Sequence, residues 1–186
     1  MTTITRAQLV QAFEVYLGEM ARCATAKCYW ALLHLVIIMP DICAALESTR
    51  GEAKPEYYMD WCRRYLASPS ISPKEWYEIR NLILHQGRTK RLKGRYAGYS
   101  FHQPESYSTA IHRHLDGGTL CLDVHELTRE MREAMNRWFE EIETNIYPNR
   151  SQNVARNISL LVRLHPPALP APQPPFIQAY NVTSSP

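Results

Sequence analysis

The nineteen residues from Cys28 to Leu46 contain only two polar side chains, His34 and Asp41. A stretch this long is enough to cross a bilayer as a helix. Two features argue against that. A carboxylate inside a span costs about 3 kcal/mol to insert, and Pro40 withdraws a helical N–H beside it. The segment therefore reads as a core helix over residues 27–47, bent at Pro40, which also suits a subunit interface. A helix that is apolar on every side must be covered on every side. The rest of the chain must supply the cover.

It does so with amphipathic helices. Residues 6–22 repeat Leu9, Val10, Phe13, Leu17 and Met20 at helical spacing, and residues 55–67 place Tyr58, Trp61, Cys62 and Tyr65 on one side. A helix over 72–86 starts at Ser72, with Pro73 at its first position and Glu75 completing a capping box, and stops at Gly87. Asp123 and Glu126 form a second such start for a helix to about Asn145, and a shorter helix fits 150–163. Between them, residues 87–107 show no sustained period. Tyr107–Leu115 and Thr119–Leu122 read as two strands around Asp116-Gly117-Gly118. The expected fold is mainly α: a helical bundle over residues 1–147, with a basic loop and β-hairpin inserted at 87–122. A C-terminal helix and a proline-rich tail follow at 148–186. The expected core includes Trp30, Leu33, Ile37, Trp61, Trp76, Ile79, Ile83 and Trp138.

Hydrophobic content of 45% and charged content of 21% suit one globular domain. A net charge of +3 is too small to argue for nucleic acid by itself. The five cysteines include no Cys-x-x-Cys, and most fall in apolar helical segments, which reads as buried free thiols in a reducing cytosol. The N-terminus lacks the pattern of a secretory signal. A cytoplasmic protein without membrane or cofactor is the expectation. No Gly-rich phosphate loop, nucleophile elbow or His-Glu-x-x-His occurs.

Chemistry concentrates on the helix at 72–86, which carries Arg80, Asn81 and His85. Arginine clamps phosphate, histidine moves protons near neutral pH, and asparagine orients a hydroxyl. Asn81 and His85 stack at four-residue spacing, whereas Arg80 and His85 lie roughly 140° apart on the wheel and are not expected to touch. Immediately after come Arg88, Lys90, Arg91, Lys93 and Arg95, five cations without an acid among them. Tyr96 and Tyr99 follow. Cations supply affinity for phosphates, and aromatic rings stack on unpaired bases.

The segment Arg80-Asn81-x-x-x-His85 resembles the Arg-x4-6-His signature of HEPN domains, in the form with a polar residue after the arginine. Leu82–Gly87 and Met39–Leu46 are also similar to stretches of uncharacterised bacterial proteins of similar layout, and the resemblance spans roughly residues 5 to 145. It implies a HEPN-like helical bundle acting as a metal-independent endoribonuclease. Arg80, Asn81 and His85 would be the catalytic residues, and a homodimer would complete a composite site. It further implies a role as a toxin or phage-defence effector, with an antitoxin or neighbouring-gene protein as partner. The chain departs from the branch that carries a tyrosine two residues after the histidine, because Gly87 stands there. Regulation by adenylylation of that tyrosine is thus not expected. The alternative within the family is a non-catalytic dimerisation or partner-binding module. A zinc-dependent hydrolase built on His112, His114, Cys121 and His125 is a third reading, on spacing that matches no strong zinc template.

Overall fold

The computed structural model describes residues 4–90, 94–103 and 111–163. Its helices are α1 (Arg6–Ala12), α2 (Glu14–Thr25), α3 (Tyr29–Glu47), α4 (Pro55–Tyr65), α5 (Pro73–Gln86), α6 (Val124–Glu143) and α7 (Pro148–Asn157). Three strands, β1 (Gly98–His102), β2 (His114–Asp116) and β3 (Thr119–Asp123), form a small sheet between α5 and α6 in the chain. The fold is mainly α.

α3 is the central element, packed by α2, α4, α5, α6 and α7. It is long and apolar enough to cross a membrane by length and composition, yet ten of its nineteen residues are buried in the bundle. It runs through Pro40 as one helix. One turn earlier, the Tyr58 hydroxyl of α4 donates to the Ile37 carbonyl at 3.2 Å, with the Trp76 carbonyl of α5 at 3.5 Å. A buried hydroxyl thus sits where three helices meet and finds an acceptor there.

Seven of the eight expected core residues are buried: Leu33, Ile37, Trp61, Trp76, Ile79, Ile83 and Trp138. Trp30 is the exception, at 55% exposed. It lies in the first turn of α3, where its neighbour Tyr29 turns inward, its ring edge-on to His125 at 5.7 Å.

Four other expectations change. The helix expected over 6–22 bends at Phe13 (φ −91°, ψ 3°). Phe13 is fully buried there, edge-on to Trp138 at 5.6 Å and Phe139 at 5.4 Å, so packing on α6 overrides the local period. The stretch expected to be irregular contains β1, which pairs in parallel with β3, Gly98 opposite Thr119. Its partner lies some twenty residues away, beyond what local period can report. The hairpin forms at Gly117 and Gly118, both at positive φ, with His114 opposite Cys121. Its first strand covers only His114–Asp116 among the described residues, and 107–110 lie outside them. Asp123 caps α6 by accepting from the Glu126 N–H at 2.9 Å, but the Glu126 carboxylate takes Arg129 at 2.7 Å, leaving the expected box half-formed.

α7 packs on α3 and α6, so the segment after 147 is joined to the bundle. Asn153, Arg156 and Asn157 donate to the carbonyls of Leu46, Glu47, Ser48 and Thr49 at 2.6–3.0 Å. The carbonyls at the end of a helix lack intrahelical donors. Here α7 supplies them from outside. The proline-rich tail lies outside the described residues.

Candidate functional site

α5 forms as its sequence requires. The Ser72 hydroxyl accepts from the Glu75 N–H at 3.2 Å and the Glu75 carboxylate accepts from the Ser72 N–H at 2.7 Å. At the other end Gly87 adopts φ +57°, and the N–H groups of Gly87 and Arg88 return to the Leu82 carbonyl. Trp76, Ile79 and Ile83 point into the core. Near the Tyr58 hydroxyl, Ile37 of α3 lies beside Trp76 of α5, and four residues further on Asp41 meets Arg80. The two helices therefore run the same way along this contact.

The Arg80 guanidinium organises the site. Its Nε donates to Asp41 Oδ2 at 2.7 Å. Its Nη1 donates to Asn81 Oδ1 at 2.9 Å and lies 2.7 Å from His85 Nε2. Arginine has no acceptor, so His85 Nε2 is the accepting atom and carries no proton in this arrangement. The Tyr77 ring lies beside the same guanidinium, 5.8 Å from its central carbon. The side chains of Arg80 and Asp41 are 20% and 15% exposed, and His85 stands in the open. Arg80 and His85 are thus in contact, contrary to the wheel argument. The wheel places Cα atoms, whereas an extended arginine side chain spans the five-residue offset once its Nε is anchored on Asp41.

Asp41 is the site residue that sequence reasoning missed. It entered as the charge that spoiled a membrane span and as one letter of the Met39–Leu46 stretch, with no role at the site. A carboxylate inside an apolar helix needs a cationic partner, and that was the available signal. Burial raises its carboxyl above the ordinary value, against the smaller opposing effects of the hydrogen bond and charge of Arg80.

The basic stretch is divided. Arg88 and Lys90 are exposed beyond the end of α5, with Arg88 Nε donating to Gln86 at 2.7 Å. Arg95, also exposed, donates to the Pro69 carbonyl at 3.0 Å. Arg91 and Lys93 lie outside the described residues. Tyr96 and Tyr99 were expected to offer rings for stacking. Instead they are core residues, 5% and 2% exposed, and the Tyr96 hydroxyl donates to the Ser70 carbonyl at 2.6 Å. Pairing of β1 with β3 carries this segment inward.

His112, His114, Cys121 and His125 do not converge, and no group of three or more metal-ligating side chains occurs among the described residues. His112 Nδ1 accepts from the Asp123 N–H at 3.1 Å, which leaves its Nε2–H for Glu130 at 3.2 Å. Arg113, at φ +66°, pairs with the same carboxylate at 2.7 Å and donates to Ser68. This is a clasp between the sheet, α6 and the loop before α5. Burial opposes ionisation of Glu130, but hydrogen bonds from His112 and Arg113 outweigh it and hold the carboxyl at about 2. His114 is exposed on β2, Cys121 is buried on β3, and His125 meets Tyr29.

No protein-family model, curated protein or solved structure matches this chain.

Proposed function

We propose that this chain is a metal-independent endoribonuclease of HEPN type, acting as a toxin or phage-defence effector. The observation that carries the reading is the convergence of Arg80, Asn81 and His85 on one guanidinium at the solvent-facing edge of the bundle. Each has a role in phosphodiester transesterification. His85 Nε2 presents a lone pair and takes the proton of a ribose 2′-OH. The 2′ oxygen attacks its own 3′ phosphorus, and the bond to the 5′ oxygen of the next nucleotide breaks. The products are a 2′,3′-cyclic phosphate and a 5′-OH, whose proton comes from a protonated His85. A second copy of the chain supplies the facing motif, so that one histidine acts as base and the other as acid. Arg80 stabilises the charge that builds on the phosphorus oxygens. A bound phosphate competes with His85 for Nη1 and so frees the base as substrate arrives. Asn81 orients the 2′-OH.

The test is cleavage of single-stranded RNA in excess EDTA by the purified protein. His85→Ala abolishes it, and Arg80→Ala lowers it on the order of 100-fold. Lys90→Ala with Arg88→Ala weakens binding and flattens its salt dependence instead. The partly buried Asp41–Arg80 pair favours a second reading, a non-catalytic module in which that pair only ties α3 to α5. Tight binding to a protein from a neighbouring gene, with no RNA cut under any condition, decides for the module.

A further inference from the structure

α3 buries all but one stripe. Along that stripe Trp30, His34, Ile38 and Asp41 follow one another at spacings of four, four and three residues. They therefore share a side of the helix. One end is Asp41, the anchor of Arg80. The other is Trp30, the only exposed tryptophan of the four, all of which are described. At 1.5 Å per residue it stands about 16 Å along the axis from Asp41, with His34 about 10 Å from it.

The stripe is built rather than incidental. The His34 ring packs edge-on against the Trp30 indole, centroids 4.4 Å apart. His34 Nδ1 lies 2.8 Å from the Trp30 carbonyl. A carbonyl only accepts, so Nδ1 carries the proton and Nε2 remains to meet an incoming group. A supported indole next to an imidazole offers a flat apolar face with a polar atom at its rim. It also replaces the stacking rings that Tyr96 and Tyr99, buried in the core, do not offer.

We infer that Trp30 and His34 form a nucleobase subsite, in which an unpaired base of a single-stranded RNA stacks on Trp30 a few nucleotides away from the bond cut at Arg80 and His85. The occupant follows from the chemistry of the stripe. Every base has a face for an indole, and such stacking is tolerant of sequence. The separation from Arg80 is one that a few nucleotides of extended strand cover. Exposed cations, Arg88 and Lys90, lie beyond the other end of the motif, where they hold the backbone. The inference rests on the ribonuclease reading for its substrate, but its test does not require cleavage.

The full chain carrying His85→Ala is titrated with a short oligoadenylate while tryptophan emission is followed. With Trp61, Trp76 and Trp138 buried, Trp30 is the fluorophore that a bound base reaches. The expected result is quenching that disappears in His85→Ala/Trp30→Phe, and binding about tenfold weaker in His85→Ala/Trp30→Ala. His85→Ala/Trp30→Tyr keeps most of the affinity. In the cutting enzyme, Trp30→Ala raises KM and leaves kcat near its starting value. Because Trp30 is more than half exposed, its removal leaves the thermal midpoint almost unchanged. Trp30-dependent quenching by a protein that never cuts RNA upholds the subsite and removes the ribonuclease reading. Cleavage with no quenching and no KM change does the reverse. No binding of oligoadenylate at all overturns the subsite. So does a Trp30 that becomes shielded from iodide as protein concentration rises, since the stripe is then a contact between copies.

Discussion

Burial and Arg80 act on the Asp41 carboxyl in opposite directions, and burial prevails. A carboxylate whose folded value is raised contributes stability below its unfolded value of 3.8, and loses it as pH rises through the folded value. Its ionised form is therefore not kept for stability, and holding Arg80 is the use that the geometry gives it. Under the proposed ribonuclease reading, Asp41→Asn is expected to lower kcat about tenfold while KM holds, with partial rescue by Asp41→Glu. The Nε–H resonance of Arg80 should move in the same variant, and a resonance that stays in place removes the positioning role. Glu130 behaves in the opposite sense. Its carboxyl is lowered from 4.5 to about 2, so its contribution is complete above 4.5 and is lost as pH falls towards 2. Wild type should lose on the order of 3 kcal/mol across that window from this group. Denaturant unfolding of Glu130→Gln should lack that part of the acid slope, and matching slopes would count against the clasp with His112 and Arg113.

At the scale of elements, ends matter more than middles. Gly87 stands at φ +57° with open space around its α-carbon, so Gly87→Ala meets no neighbour and carries only the backbone cost, about 1 kcal/mol. Gly87→Asn should recover much of it, as thermal unfolding of the two variants will show. The end of α3 depends on another helix. Asn157 is 4% exposed and donates from one amide nitrogen to Leu46 and Ser48, at 3.0 and 2.7 Å. Asn157→Ala strands those carbonyls and should cost about 2 kcal/mol. A loss under 0.5 kcal/mol in urea titration would mean that water replaces the amide there.

For the whole molecule, one Arg80–His85 pair is half of a composite site under the proposed reading. A homodimer with the two α5 edges facing across the site is therefore expected. Light scattering at micromolar concentration checks it, and a monomer with full nuclease activity contradicts it. Excess His85→Ala chain mixed with wild type should suppress cleavage, because a mixed dimer keeps only one of the two histidines the reaction uses, and undiminished activity would also count against it.

Features that depend on near neighbours were legible in the residues themselves. The helix over 72–86 was legible from Ser72, Glu75 and Gly87 because caps act within one turn. The core placement of Trp61, Trp76, Ile79 and Trp138 followed from period alone. The hairpin turn at Gly117-Gly118 followed from the need for positive φ. The motif Arg80, Asn81 and His85 was visible as letters. The remaining features came from packing, because each joins residues far apart in the chain. Asp41 anchors Arg80 across 39 positions, and that anchor brings His85 into contact with it. Pairing of β1 with β3 buries Tyr99 and its neighbour Tyr96. The cover over α3 leaves Trp30 outside, because period shows that a helix is apolar all round but cannot show which stripe its partners leave uncovered.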